Sequence, residues 1–289
     1  MFTEAQAFYS ISSLKSFTRQ DVLEGRVIKI NPALVTITDG LDDRMPPESL
    51  QKRVQHHVEQ LLEHNVHTFH VDINFEDYSG FSGKRPNTNT VIFMPSFLKD
   101  LNEIVRSHDG FLNLHLLTNF PHLHLCKFDR IELGAVCFQL DVISGSEQLQ
   151  ELVHHILDIG ACASPVIETV GSENLMPKPK EEILLLLEPV LPEIGMLTFQ
   201  AAGTASRSNL PAGTFNKEGV GSYIRHVKES FTGTFQMQGG ITTSTIGEAV
   251  RMGAEFLVSG TQIFRNQRGL TAPQVIDQML VEAAEALRV

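Results

Sequence analysis

Tryptophan is absent from this chain of 289 residues, and tyrosine occurs only three times. Cysteine is as scarce: Cys126, Cys137 and Cys162 stand without any CxxC spacing. So odd and sparse a set excludes a disulfide framework and points to a reduced, intracellular protein. No stretch of about 18 apolar residues occurs, which argues against a membrane-spanning helix. The nearest run, 183–191, is broken by Glu188 and Pro189. The N-terminus has Glu4 early and no apolar run behind a basic start, so no secretory signal is expected and the expected location is the cytoplasm. Blocks of five or six like charges are missing too, so no charged tail is expected. Basic residues are in deficit: 23 Lys and Arg against 34 Asp and Glu give a formal net charge of -11. Such a chain repels a polyanion, which argues against nucleic acid as a partner. A small phosphorylated ligand stays open, because a few backbone N–H groups can hold one phosphate.

What is present is a regular alternation of apolar segments. Hydrophobic residues make up 42% of the chain, enough for a sizeable core. Residues 1–24 are weakly patterned and read as an N-terminal extension. From 25 to 289 the spacing predicts one domain. Strands are expected over 26–37, 68–73, 111–117, 135–140, 163–168, 195–199, 234–237 and 255–259. Helices are expected over 48–63, 96–107, 147–157, 180–187, 219–230, 246–252 and 272–287. The strands read as apolar on both faces, as parallel strands covered by helices are. Long polar loops fall at 76–90 and 201–215, and long ordered loops are more often functional than filler. About eight strand–helix units make a single (β/α)8 TIM barrel with an N-terminal extension and long βα loops. An open doubly wound sheet is the competitor, and the lack of an early G-x-G-x-x-G counts against its dinucleotide-binding form.

Two groups of residues suggest chemistry. The segment 235–264 runs strand, glycine pair, helix, strand. Gly239 and Gly240 lack a Cβ, so their backbone N–H groups can approach an anion closely. Thr245 with Glu248 three residues on has the pattern of a capping box. Gly260 and Thr261 add a second small-residue site at the end of the last strand. The loops after strands seven and eight of such barrels often hold phosphate; the plain alternative is that the glycines merely permit tight turns. The second group is His70 and Asp72, which alternation sends to one side of strand two, and His115 in strand three. Two histidines and a carboxylate from neighbouring strands suit Zn, Fe, Mn or Co as divalent ions. Taken singly, His115 reads as a hydrogen-bonded core histidine, whereas Asp72 on an apolar strand needs a partner.

The chain resembles the ribulose-phosphate 3-epimerase family through an ordered set of segments over about residues 28–266. The set is INPALVT at 30–36, FHVDI at 69–73, Pro86-Asn87, NLHLL at 113–117, MQGGI at 237–241 and LVSGTQIF at 257–264. The resemblance implies a (β/α)8 barrel, a divalent metal ion and a ketopentose phosphate such as ribulose 5-phosphate. It implies epimerisation next to the ketone, with proton removal by one aspartate and return by a second across an enediolate. By position, His70, Asp72 and His115 match metal ligands, and Asp72 also matches an acid–base aspartate. Thr36, His115 and Gln238 lie where the family contacts substrate, and Gly239, Gly240, Gly260 and Thr261 match phosphate binders. A homo-oligomer is the family's habit. One departure is central: the second acid–base aspartate of the family is Gln238 here, and an amide cannot relay a proton. Three outcomes stay open: a related one-base reaction with a water, Glu76, Asp77 or Glu168 supplying the other proton, an epimerase of reduced activity, and sugar-phosphate binding without turnover. A Schiff-base enzyme is disfavoured, since strands two to eight contain no lysine.

Overall fold

The computed structural model describes residues 28–38, 45–79, 88–170, 177–202 and 214–287. The expected extension over 1–24 and parts of both long loops lie outside the described residues. Eight parallel strands are present: β1 (Lys29–Pro32), β2 (Thr68–Asn74), β3 (Phe111–Leu117), β4 (Ala135–Gln139), β5 (Cys162–Glu168), β6 (Met196–Gln200), β7 (Thr234–Gln238) and β8 (Ala254–Ser259). They pair in the order β1-β8-β7-β6-β5-β4-β3-β2. A bridge between Ala33 and His70 closes the ring, with the Leu34 N–H donating to the His70 carbonyl at 2.9 Å. This is the (β/α)8 barrel that the alternation predicts.

The helices are α1 (Val35–Thr38), α2 (Pro47–Leu62), α3 (Thr88–Ile92), α4 (Pro95–Arg106), α5 (Pro121–Leu125) and α6 (Ser146–Asp158). They continue with α7 (Lys180–Leu187), α8 (Lys217–Val227), α9 (Ile246–Arg251), α10 (Thr261–Phe264) and α11 (Ala272–Ala286). In α2 the buried side chains are Leu50, Val54, Val58, Leu61 and Leu62, one stripe at helical spacing that packs on the strands. Three helices end alike. Asn65, Asp109 and Gly160 follow α2, α4 and α6 with φ of 60°, 56° and 82°. The next residue in each case returns its N–H to a carbonyl five residues back: Val66 to Leu61, Gly110 to Val105, Ala161 to Ile156. Asn, Asp and Gly are the residues that tolerate this left-handed stop, which turns the chain into the next strand.

Two expectations fail. The strand expected over 26–37 ends at Pro32, and the β-branched run Val35–Thr38 is helical. Ala33 pairs with Ser259 on one side and Leu34 with His70 on the other, and past them the chain leaves the ring with no neighbour to extend along. Tertiary position thus overrides β-propensity. The strands are also not apolar on both faces. Leu112, Leu114 and Leu116 or Phe235 and Met237 join the apolar core under the helices. The alternate positions face the barrel axis and are largely polar. Hydrogen bonds between non-neighbouring strands prove this: Asn31 Nδ2 on β1 donates to Gln236 Oε1 on β7 at 3.1 Å, and Gln236 Nε2 donates to Cys137 Sγ on β4 at 3.4 Å. Following the strand registers around the ring sorts the interior into layers. Asn31, Asn113, Ser164 and Gln236 form one. Above it lie His70, Cys137, Thr198 and Val258, then Ala33, His115, Val166 and Gln238, then Asp72, Gln139 and Gln200. Bulky branched residues usually fill these layers. Here the floor below them is apolar, with Phe111, Ala135, Cys162, Met196 and Phe256 in contact.

Candidate active site

His70 and Asp72 project from one face of β2, Asp72 nearer its carboxyl end, and register places His115 of β3 directly beside Asp72. Asp72 Oδ1 accepts from both rings, 2.8 Å from His115 Nδ1 and 3.2 Å from His70 Nε2. The two ring centroids are 5.5 Å apart. Both histidines are buried, while Asp72 keeps one-fifth of its side chain exposed, so the cluster opens toward the mouth. Burial alone would raise the Asp72 carboxyl. The charge of His70 and the hydrogen bonds of both rings outweigh it and hold the group far below the usual carboxylate range. Burial lowers the His115 imidazole, against the opposing pull of Asp72.

These side chains fit a divalent ion. One ligand atom from each of His70, Asp72 and His115 lies within 4.8 Å of the others. Ligand atoms about 2.0–2.1 Å from one ion lie roughly 3.0–3.4 Å apart at octahedral to tetrahedral angles, close to the two separations above. Two imidazoles and a carboxylate on one face, with the mouth side open, is the donor set of a catalytic rather than a closed structural site.

Gln238, at the end of β7, is buried in the layer of His115. Its Nε2 donates to Gln200 Oε1 at 2.6 Å, and Gln200 Nε2 donates to the Ala202 carbonyl at 2.7 Å. The main-chain carbonyl fixes the sense of both amides. Gln238 therefore turns its carbonyl oxygen away from Gln200, and that oxygen is buried without a partner among the described residues. Gly239 and Gly240 follow at φ 85° and 71°. A Cβ on Gly239 would lie 2.8 Å from the Ala202 nitrogen, so close backbone approach alone requires glycine there. The expected capping box is not formed. Thr245 Oγ1 instead donates to the Gly240 carbonyl at 2.7 Å and accepts from the Thr242 N–H at 2.9 Å, pinning the loop. Glu248 pairs with Lys217 and Arg251. Gly260 packs against Thr36, where a Cβ would strike the Thr36 side chain. The Thr36 hydroxyl donates to the Ala33 carbonyl at 2.7 Å, and the exposed Thr261 opens α10. So the two glycine sites flank one rim of the mouth, and each glycine also has a packing reason.

The three suggested proton donors differ. Glu76 is exposed. Asp77 is engaged, by Thr118 Oγ1 at 2.7 Å and His124 Nε2 at 2.9 Å, and braces the loops after β2 and β3. Glu168 is buried at the end of β5 and accepts from the Val170 N–H at 3.3 Å. Several site residues escaped the sequence analysis. Gln139 bonds Tyr78, and burial pushes the nearby Asp141 carboxyl up to about 6. Arg265 Nε donates to the Thr36 carbonyl at 3.0 Å and brings a cation to the β8 rim. The signal that could have found the inner residues is polar alternation: His70-x-Asp72-x-Asn74, Asn113-x-His115, Gln236-x-Gln238.

No protein-family model matches the chain, and no curated protein sequence does. Solved structures resemble it in fold. Tryptophan synthase from Mycobacterium tuberculosis superposes with a TM-score of 0.57 at 9% identity, over 96% of this chain and 98% of that one. The tryptophan synthase alpha chain of Legionella pneumophila gives 0.55 at 10%, over 93% and 97%. Thiamine phosphate pyrophosphorylase from Pyrococcus furiosus gives 0.51 at 12%, over 91% and 98%. At such identities the likeness is one of fold, and the fold is the TIM barrel.

Proposed function

We propose that this chain is a metal-dependent enzyme that moves a proton next to the ketone of a phosphorylated ketopentose such as ribulose 5-phosphate, epimerising that carbon. The observation that carries the reading is the convergence of His70, Asp72 and His115 at the carboxyl ends of β2 and β3, where barrels of this kind hold their active sites. His70 and His115 would hold the ion through ring-nitrogen lone pairs, and Asp72 through its carboxylate. A bound ion supplies positive charge against the oxygens of the deprotonated ketose. Gly239, Gly240, Gly260 and Thr261 take the phosphate on the opposite rim. Gln238 offers its carbonyl oxygen to a substrate hydroxyl. Proton removal would fall to Asp72, and return on the opposite face would fall to a water, since the Gln238 amide cannot relay a proton.

The test is ribulose 5-phosphate in D2O with added Co²⁺ or Zn²⁺. Deuterium is expected at carbon three; no incorporation with the ion bound overturns the reading. The locked amide of Gln238 favours a second reading, a barrel that binds a sugar phosphate without turnover. Micromolar binding of ribulose 5-phosphate by calorimetry, with no exchange, would establish that one.

A further inference from the structure

We propose that the barrel interior seats an ordered water among His70, Asn113 and Asn31, in the two polar layers deepest below Asp72, and that Asn113 is a positioning residue for His70. All three residues are fully buried. His70 Nδ1, Asn31 Oδ1 and both polar atoms of the Asn113 amide have no hydrogen-bond partner among the described residues. They come from three adjacent strands. His70 and Asn113 are register neighbours on the inner face, so their Cβ atoms lie about 4.5–5.5 Å apart. Asn31 stands two residues before Ala33, which bridges to His70.

The amide orientations follow from the rest of the layer. Gln236 Nε2 donates to Thr198 Oγ1 at 3.0 Å and to Cys137 Sγ, which leaves Gln236 Oε1 to accept from Asn31 Nδ2. Asn31 therefore turns its Oδ1 away from β7. One side of these two polar layers is a closed hydrogen-bonded network, and the other side holds four open atoms. A buried unpaired polar atom costs about 1–3 kcal/mol, so four in one place demand a shared partner. A buried water typically makes about three hydrogen bonds, and this seat offers a donor in Asn113 and acceptors in Asn113 and Asn31. Asparagines and Ser164 stand where such barrels carry bulky branched side chains.

The seat also serves the chemistry of His70. When Nε2 donates to Asp72, Nδ1 is a lone pair and accepts from the water. When the Nε2 lone pair faces a cation, Nδ1 carries the proton and donates to the same water. A carbonyl or an N–H in that place would satisfy only one of the two tautomers. The first half of the proposal stands on the buried atoms alone; the second rests on the metal reading above.

A crystal structure at a resolution that orders waters decides the first half. Density is expected within hydrogen-bond distance, roughly 2.7–3.2 Å, of His70 Nδ1 and an Asn113 side-chain atom. A dry seat, or a direct bond between the two side chains, overturns it. For the second half, Asn113→Leu fills the seat and Asn113→Ser leaves it polar. Zn²⁺ titrated calorimetrically should bind Asn113→Leu about 10–100-fold more weakly than the unaltered chain, the loss usual for a residue supporting a ligating histidine. Asn113→Ser should recover most of that loss. Equal affinity in all three overturns the positioning role. If none of them takes up Zn²⁺, the metal reading fails, and the positioning role with it, while the water in the crystal still decides the seat.

Discussion

Asp72 shows what a single position can and cannot reveal. That it needs partners follows from a carboxylate on an otherwise apolar strand. That both partners are histidines bonding one oxygen, at 2.8 and 3.2 Å, depends on β3 lying beside β2 in one register. Asp72→Asn keeps the shape and removes the charge, and should weaken Zn²⁺ binding at least tenfold by calorimetry. An unchanged affinity would mean that the ion, if any, sits elsewhere. Gln238 carries the opposite prediction. Gln238→Asp restores an acid opposite His115, and deuterium exchange at carbon three of ribulose 5-phosphate should rise by about 10². No rise would show that proton return does not limit the reaction. The role of Gln200 in turning the Gln238 amide was not legible, because it depends on a register pairing between β6 and β7.

At the scale of elements, spacing located most of the helices and strands, since a helix such as α2 buries a stripe that is periodic whatever lies beneath it. Strand one was read too long for the opposite reason: whether Val35–Thr38 extends depends on neighbours at the barrel rim, not on its β-branched residues. The phosphate loop is where element geometry makes a prediction. Gly239→Ala forces an L side chain to φ 85° and brings a Cβ to 2.8 Å from the Ala202 nitrogen. Urea unfolding should show a loss of about 1–3 kcal/mol. Gly145→Ala is the control, with extended backbone and nothing within 4 Å of the added carbon, and should cost almost nothing. Equal effects at the two sites would remove the argument for a strained, closely packed turn after β7.

At the scale of the molecule, a buried acid and a half-buried one make stability depend on pH. Burial pushes the Glu255 carboxyl up to about 7, partly opposed by Thr234, and Asp141 up to about 6. Both folded values lie above the ordinary ones of 4.5 and 3.8. The folded state therefore prefers the protonated acid. No penalty exists below about pH 4, and the penalty grows as pH rises to about 7. Glu255→Gln should leave the melting temperature nearly unchanged at pH 4 and raise it at pH 8, where the gain in stability is on the order of 3 kcal/mol at most. A shift equal at both pH values would show that Glu255 does not titrate between them. Among the described residues no helix is long and apolar enough to cross a membrane, in keeping with the absence of long apolar runs.

Local periodicity settled the class of fold. The eight-fold alternation of strands and helices, the scarcity of cysteine and the acidic balance are properties of the chain itself and do not depend on how its parts meet. Period two sends His70 and Asp72 to one face, and that was read; the same signal at Asn113 and His115 or at Gln236 and Gln238 was masked by reading the strands as apolar on both faces. Which face that is, the barrel axis, only closure of the sheet decided, because a face becomes an interior when β1 and β2 meet at Ala33 and His70. Closure also chose the partners. Two histidines on one carboxylate oxygen, one glutamine turning another, and four buried polar atoms gathered below them all follow from strand register, which is a relation between distant segments and is written in no single one of them.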